Sequence, residues 1–213
     1  MKIAVLGASG PTGQEIVKQA LENGDQLQVL VRDESKLAVR HANLHIVKGD
    51  ALDAAAVERV VSGQDAVISA LGGKAGITGS ARTTVYSQGA KNIVLAMRKI
   101  GIKRLVFCTS GGVEDHDPNS AWVYEHVIKP MFLQNAYDDM KLAEAVLWGL
   151  DDLECVIARP PRLTNGVKTG KYRVVARFLP EHGTELSRAD LAHFMLEQVR
   201  SGDWIGKTPT LAY

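Results

Sequence analysis

The sequence predicts an α/β fold in which a single domain is built on a doubly wound, mostly parallel sheet. Short apolar segments rich in β-branched residues alternate with amphipathic segments of helical period. A glycine-rich turn joins the first of these strands to the first helix. The length of 213 residues suits one domain, and no repeat, low-complexity tract or charged linker divides the chain. We therefore expect residues 1–213 to form one unit.

The predicted elements follow from segment length, β-branched content and flanking turn residues. The strands are Lys2–Gly7, Gln26–Val31, Leu44–Lys48, Ala66–Ala70, Arg104–Cys108 and Glu154–Ala158. The helices are Thr12–Glu22, Ala54–Val61, Thr83–Ile100, Ala136–Gly149 and Ser187–Arg200. Ser187 and Asp190 resemble a capping pair at the start of the last helix. The least periodic stretch, Gly111–Gln134, follows a strand end, where this fold class binds ligands, and is predicted to be a lid or substrate-facing segment.

The composition excludes several classes of protein. Lys and Arg total 25 against 24 Asp and Glu, so the chain lacks the basic field that nucleic-acid binding needs. No apolar run reaches the roughly 20 residues of a membrane span, and the glycine-rich start is unlike a secretion signal. We therefore expect a cytoplasmic protein without a nucleic-acid or membrane partner, as a monomer or small homo-oligomer. Cys108 and Cys155 show no disulfide or metal-ligand spacing, which predicts reduced core thiols and no metal site.

The strongest motif is GASGPTG, which lies between an apolar strand and an amphipathic helix. Its three glycines permit a tight turn, a close approach of the backbone to a pyrophosphate, and close packing of the helix on the strand. Free amides at the start of the helix would face the anion. The residues expected to form this phosphate loop are Gly7, Ser9, Gly10, Pro11, Thr12 and Gly13. The alternative is a glycine-rich turn that binds no ligand.

The end of the second predicted strand indicates which dinucleotide binds. An NAD site usually has an acid there, which accepts a hydrogen bond from the ribose 2′-hydroxyl. This chain has Arg32 at that position and Lys36 one turn later, and two cations favour the 2′-phosphate of NADP(H) over NAD(H). Asp33 leaves two alternatives open, because it could bind a ribose itself or form a surface ion pair with Arg32.

Further motifs recur along nearly the whole chain. They are KIAVLGASGPTG, VLVRDESKL, VKGDALD, GQDAVISALGG, VYSQGAKNIVLAM, VFCTS, YDDMKLAEAVL, ARPPRL and LSRADLAHFML. Together they resemble the atypical, NmrA-like branch of the short-chain dehydrogenase/reductase superfamily, and within it the flavin and biliverdin reductases. The resemblance implies a Rossmann-like domain that transfers hydride from NADPH to a planar acceptor such as a flavin, a biliverdin-like tetrapyrrole or a quinone. The alternative is a non-catalytic NADP-binding redox sensor or assembly factor, as some NmrA-like relatives are.

The resemblance also implies roles for residues at the later strand ends. They are Asp50 and Ala51 at the adenine, Leu71 and Gly72 at the nicotinamide-side ribose, Tyr86, Cys108 and Ser110 beside the cofactor and its nicotinamide, and Pro161 and Arg162 on the far side of that pocket. Two of these residues also have a simpler structural interpretation. Asp50 could be an ordinary loop cap, and Leu71 could serve core packing alone.

The chain departs from the flavin and biliverdin reductases in two places. After the paired prolines it has Arg162 where they have a histidine, and an arginine stays charged and suits carboxylates or phosphates. Tyr137 and Lys141 form a YxxxK arrangement that resembles the superfamily's catalytic pair, and residues so spaced share one helix face. A nearby ammonium favours the phenolate, so Ser110, Tyr137 and Lys141 are the candidate catalytic set. Alternatively, Tyr137 and Lys141 form the polar rim of an amphipathic helix, and reduction of a stacked flavin needs no dedicated acid.

Two aromatic residues of the predicted lid segment are candidate substrate-binding residues alongside Arg162. Trp122 and Tyr124 follow the end of the fifth predicted strand within this irregular stretch. They would form either a wall on which the substrate stacks or the apolar underside of the lid. The sequence pattern is the same for both.

Overall fold

The centre of the fold is a six-stranded parallel sheet, seen in a computed structural model that describes residues 1–73, 82–122 and 124–213. Its strands are β1 Lys2–Leu6, β2 Gln26–Val31, β3 Leu44–Lys48, β4 Ala66–Ser69, β5 Arg104–Cys108 and β6 Glu154–Ala158. They lie in the order β3-β2-β1-β4-β5-β6, and each neighbouring pair runs parallel. This order reverses direction between β1 and β4, which creates a crevice at the carboxyl ends of the strands. The predicted doubly wound α/β fold is confirmed.

Helices cover both faces of the sheet. They are α1 Pro11–Glu22, α2 Ala54–Val61, α3 Val85–Ile100, α4 Gln134–Leu147 and α5 Arg188–Arg200. Successive residues of β1 point to opposite faces, so Val5 packs in the layer of α1 and α5 while Leu6 packs in the layer of α2, α3 and α4. None of the helices in the described parts of the chain has the length and apolar character that crossing a bilayer requires.

The helix starts that face the cleft are fixed by specific backbone features and contacts. α1 starts with Pro11, whose missing N–H costs nothing in the first turn of a helix. The start of α3 is capped from α4, because the buried Asp139 carboxylate accepts hydrogen bonds from the backbone N–H of Tyr86 at 2.9 Å and of Ser87 at 3.3 Å. This cap fixes α3 against α4 at the edge where the cleft opens.

Four short strands were not predicted from the sequence. β7 Arg162–Thr164 pairs in parallel with β9 Glu185–Ser187, and β8 Arg173–Val175 pairs antiparallel with β10 Thr210–Ala212. Each has three residues, too few for an alternating pattern to stand out from the surrounding polar sequence.

The segment Gly111–Gln134, predicted to be irregular, is partly helical. It contains a 3₁₀ turn at Gly111–Val113 and a π-helical segment at Tyr124–Leu133 that runs directly into α4. A π-helix turns more widely than the 3.6-residue period that marks an α-helix, so the sequence pattern missed it. Val123, within the predicted lid, lies outside the described residues.

The predicted capping pair of α5 is only half formed. The Ser187 hydroxyl accepts the backbone N–H of Asp190 at 3.0 Å, as predicted. The Asp190 carboxylate instead accepts the backbone N–H groups of Thr169 and Gly170, both at 2.8 Å, and the hydroxyls of Thr169 at 2.8 Å and Tyr213 at 2.6 Å. Asp190 thereby ties the loop after β7 and the C-terminal residue to the start of α5.

We expect Asp190→Asn to lower the free energy of unfolding at neutral pH by about 1–3 kcal/mol, because a buried acceptor loses its charge and part of its hydrogen bonding. Burial alone would raise the pKa of Asp190, but the hydrogen bonds from Tyr213, Gly170 and Thr169 outweigh it and hold the pKa below its usual value. The ionised group therefore stabilises the fold above the unfolded-state pKa of about 4, and this contribution is lost as the pH falls through the lower folded-state pKa.

Urea denaturation of both proteins at pH 7 and in acid measures this effect. The difference between wild type and Asp190→Asn should narrow as the pH falls below about 4. Asp151→Asn, at an exposed turn, is the matched control and should change the free energy of unfolding by less than about 0.5 kcal/mol. Equal effects of the two substitutions at pH 7 would contradict the role of Asp190.

Candidate functional site

The carboxyl ends of the central strands border an open cleft of about 620 Å³. The predicted site residues that line it are Gly7, Ser9, Gly10, Pro11, Thr12, Arg32, Lys36, Asp50, Ala51, Leu71, Gly72, Tyr86, Cys108, Ser110, Tyr137 and Pro161. The strand order places these residues in one continuous groove, from the end of β2 across β1 and β4 to the ends of β5 and β6.

The turn after β1 forms a cradle that only glycine allows. Gly7 has a φ of +83°, and a Cβ there would lie 2.3 Å from the Ala70 carbonyl oxygen. Gly13 does not line the cleft but supports it from behind, because a Cβ at Gly13 would lie 2.1 Å from the Gly7 carbonyl oxygen. The start of α1 therefore sits directly against β1, with its free amides at the cleft. This arrangement fits the pyrophosphate of a dinucleotide.

Two exposed cations stand at the β2 end of the cleft. Arg32 and Lys36 both line it, and the nearest acid to Arg32 is Asp50, with Nη1 3.9 Å from Oδ2. Asp33 turns to Ser35 instead, accepting its hydroxyl at 2.7 Å and its backbone N–H at 3.0 Å. These hydrogen bonds lower the pKa of Asp33. The structure therefore does not form the Arg32–Asp33 surface pair that the sequence left open.

From the end of β4 to the end of β5, the cleft is lined by the uncharged side chains of Tyr86, Cys108 and Ser110. The Tyr86 hydroxyl accepts the backbone N–H of Gly73 at 3.2 Å, and burial raises the pKa of Tyr86. Burial also raises the pKa of Cys108 to about 12, so this thiol stays protonated and weakly nucleophilic. Ser110 caps the following 3₁₀ turn, because its hydroxyl accepts the backbone N–H of Gly112 at 3.2 Å.

Tyr137 and Lys141 have separate partners in the structure. Tyr137 is 7% exposed and lines the cleft, and its hydroxyl lies 2.5 Å from the hydroxyl of Tyr124. Lys141 is not among the residues that line the cleft, and its Nζ donates to Asp115 Oδ2 at 2.7 Å. The structure therefore brings Ser110 and Tyr137 to one cleft but not Lys141, whose charge is paired elsewhere.

Gly112 is a site residue that the sequence analysis missed. A Cβ at Gly112 would lie 2.5 Å from Cζ of Tyr137 and 2.7 Å from the Tyr124 hydroxyl oxygen. The Tyr137 ring and the Tyr124 hydroxyl thus pack on the backbone of the turn after β5. The signal available in the sequence was the pair Gly111 and Gly112 after β5. A glycine pair indicates a close approach to the backbone, but it does not indicate which side chains make it.

The predicted substrate-binding residues Arg162, Trp122 and Tyr124 do not line the cleft. Arg162 lies on β7, where its guanidinium pairs with Glu185 across to β9 and is 72% exposed. Trp122 is 68% exposed, and its ring stacks on that of His126 with 4.7 Å between the ring centroids. Tyr124 contacts the cleft residue Tyr137 through its hydroxyl.

An ionic network behind the β5 and β6 end of the cleft was also missed. The Glu144 carboxylate accepts the Thr109 hydroxyl at 2.6 Å and the Arg159 Nε at 3.0 Å. Arg159 also donates to Glu114 at 2.9 Å, and Glu114 accepts from Arg177. Although burial alone would raise it, the pKa of Glu114 is lowered by the hydrogen bonds from Arg177 and Arg159. The network joins the ends of β5 and β6 to α4.

One wall of the cleft is apolar, and the sequence analysis did not assign it. It is formed by Phe132, Leu133, Ala136 and Met140, while Pro160 follows β6 and Leu163 lines the cleft from the opposite layer of the fold. Most of these residues come from the π-helical segment and α4. In the sequence, an apolar helical face predicts core packing and does not distinguish it from a cleft wall. Arg188, at the start of α5, also lines the cleft and was not predicted.

Comparisons with known proteins bear on the ligand of this cleft. The profile of a family described as NAD(P)H-binding matches residues 7–201, and this match confirms the predicted nicotinamide cofactor. A short-chain dehydrogenase/reductase from Veillonella parvula, solved in complex with NADP, superposes with a TM-score of 0.82 at 14% sequence identity. The match covers 100% of this chain and 94% of that one, and at this identity the likeness concerns the fold alone.

Two relatives are similar to this chain in sequence. A 2-alkyl-3-oxoalkanoate reductase from Stenotrophomonas maltophilia is 28% identical over 221 residues, which cover 92% of this chain and 64% of that protein. A photosystem II assembly factor from Synechocystis is 32% identical over 108 residues, which cover 50% of this chain and 33% of that protein. The match thus spans less than two thirds of the length of either relative.

We expect Gly13→Ala to raise the Kd for NADPH by at least about tenfold, which corresponds to about 1.4 kcal/mol. The added methyl group would meet the Gly7 carbonyl oxygen and force α1 away from the phosphate cradle. Calorimetric titration measures the Kd. Gly202→Ala is the matched control, since a Cβ there lies at an ordinary 3.6 Å from Ile205. An unchanged Kd for Gly13→Ala would contradict this role of the turn.

Proposed function

Because the chain belongs to the NAD(P)H-binding family, we propose that it is an NADPH-dependent reductase that transfers hydride to a planar acceptor. The acceptor is a flavin, a biliverdin-like tetrapyrrole or a quinone. This assignment is consistent with the resemblance of nearly the whole sequence to the flavin and biliverdin reductases.

The observation that carries the proposal is that one cleft combines a phosphate cradle with an apolar wall. The glycine turn with Gly10 lies at β1, while Phe132, Met140 and Pro160 line the region of the β5 and β6 ends. A flat aromatic ring system can stack against such a wall without a charged partner. The cleft therefore suits a dinucleotide with an apolar, planar molecule beside its nicotinamide end.

The charges at the β2 end favour NADPH over NADH. Arg32 and Lys36 border the cleft there, and Asp33 is occupied by Ser35. Among the described residues that line the cleft, Asp50 is the one carboxylate, and it lies 3.9 Å from Arg32. Two cations against one acid suit a 2′-phosphate better than a ribose hydroxyl.

The site residues act mainly by positioning. Bound NADPH supplies the hydride. Ser110 and Tyr137 bring hydroxyl groups to the same end of the cleft, where they can donate hydrogen bonds to the reduced acceptor. Lys141 is paired with Asp115, so its ammonium is not available to favour a Tyr137 phenolate. We therefore propose that neither hydroxyl is an essential proton donor and that the rate depends on stacking and orientation.

A second candidate function is a non-catalytic, NADP-binding redox sensor or assembly factor. Two observations favour it. One relative is named a photosystem II assembly factor, and the Tyr137–Lys141 arrangement is divided between different partners. Such a protein would need the cradle but no acceptor site.

A turnover assay separates the two candidates. We expect the purified protein to oxidise NADPH with at least one of FMN, riboflavin and biliverdin, and with NADH to show a kcat/KM at least about tenfold lower. Binding of NADPH without oxidation by any planar acceptor, quinones included, would favour the sensor. The control without protein corrects for direct reduction of the acceptor.

We expect Tyr137→Phe to keep kcat for flavin reduction within about threefold of wild type, because a proton donor that matters contributes roughly 100-fold or more. Tyr172→Phe is the matched control, since it removes a hydroxyl bonded to His193 on another part of the molecule. Single-turnover kinetics measure the hydride step directly. A 100-fold fall with Tyr137→Phe alone would make Tyr137 the proton donor.

A further inference from the structure

Arg188 is a cation of the cleft to which no role has been assigned. It is half-buried and opens α5, whose buried face packs beside α1 in the same apolar layer. The far end of α5 lies at the amino ends of the strands, because Arg104 at the start of β5 donates to the Gln198 carbonyl at 3.2 Å. Arg188 therefore stands at the carboxyl edge, among the residues that line the cleft with Gly10 and Pro11.

The Arg188 guanidinium is held from one side only. Its Nη1 donates to the Leu163 carbonyl at 3.2 Å and to the Asn165 side-chain oxygen at 2.7 Å. Within the described residues, Nε and Nη2 have no hydrogen-bond acceptor, and no carboxylate lies within 4 Å of the guanidinium. The neighbouring Arg162, in contrast, is neutralised by Glu185. Arg188 is thus oriented by neutral oxygens and keeps its charge for a ligand.

The position of Arg188 differs from that of the other cleft cations. Arg32 and Lys36 follow β2, whereas Arg188 contacts the chain that follows β6. A dinucleotide that spans this groove has its pyrophosphate between its two ends, at the glycine turn of β1. We propose that Arg188 binds the pyrophosphate beside the α1 amides, from the side of α5. A planar guanidinium can donate two parallel hydrogen bonds to phosphate oxygens.

Titration of Arg188→Gln with two ligands tests this assignment. NADP⁺ has the 2′-phosphate and the pyrophosphate, whereas 2′-AMP has the 2′-phosphate alone. We expect the Kd for NADP⁺ to rise at least about tenfold, as for a lost charge-assisted hydrogen bond, and the Kd for 2′-AMP to stay within about twofold. Arg188→Lys should give an intermediate Kd for NADP⁺, because lysine keeps the positive charge but cannot donate two parallel hydrogen bonds from a planar group.

Arg162→Gln is the matched control. It removes an exposed arginine of β7, next to Leu163, and should leave both Kd values unchanged. Circular dichroism establishes that each variant is folded. Unchanged NADP⁺ binding by folded Arg188→Gln, or an equal rise for both ligands, overturns the proposal. A weaker Kd for FMN but not riboflavin, with NADP⁺ unaffected, would assign Arg188 to the acceptor and also overturn it. These titrations need no turnover, so their outcome is independent of whether the protein is a reductase.

Discussion

The contact between the end of β1 and the start of α1 is the constraint on which the site depends. A hydrogen atom at Gly13 faces the Gly7 carbonyl, where a methyl group would leave only 2.1 Å. This approach fixes where α1 begins and therefore where its unpaired amides point. The other strand ends are then placed relative to that point by the parallel register, in which Leu6 of β1 lies beside Leu30 of β2 and Ser69 of β4. Cofactor binding is in this sense a property of backbone packing.

The opposite end of the cleft is organised by charge. Arg159 and Glu144 are both largely buried and hydrogen-bonded to each other, and Glu144 also accepts the Thr109 hydroxyl. A buried ion pair contributes little net stability, because desolvation offsets the attraction, but a broken one is costly. The network therefore acts to fix α4 relative to the ends of β5 and β6. Because Tyr137 lies on the same helix as Glu144, the network also fixes the position of the Tyr137 ring.

The fold and half of the site follow from the sequence because their causes are local. The strand, glycine turn and helix that open the chain are contiguous, and each later strand end contributes residues to one edge. Lys141 and Arg162 were misplaced because their partners are remote: Asp115 is 26 residues from Lys141, and Glu185 is 23 residues from Arg162. A cation's charge is visible in a sequence, but the acid that neutralises it depends on tertiary packing. The short strands β7 and β9, which make one of these pairs, have no periodic signature.

The position of Gly112 beneath two aromatic rings constrains how this protein can diverge. A side chain there would occupy the space of the Tyr137 ring and of the Tyr124 hydroxyl together. A larger residue at position 112 therefore requires that both tyrosines be replaced or displaced as well. Three positions would have to change together. Homologues that retain the two tyrosines should retain the glycine as well.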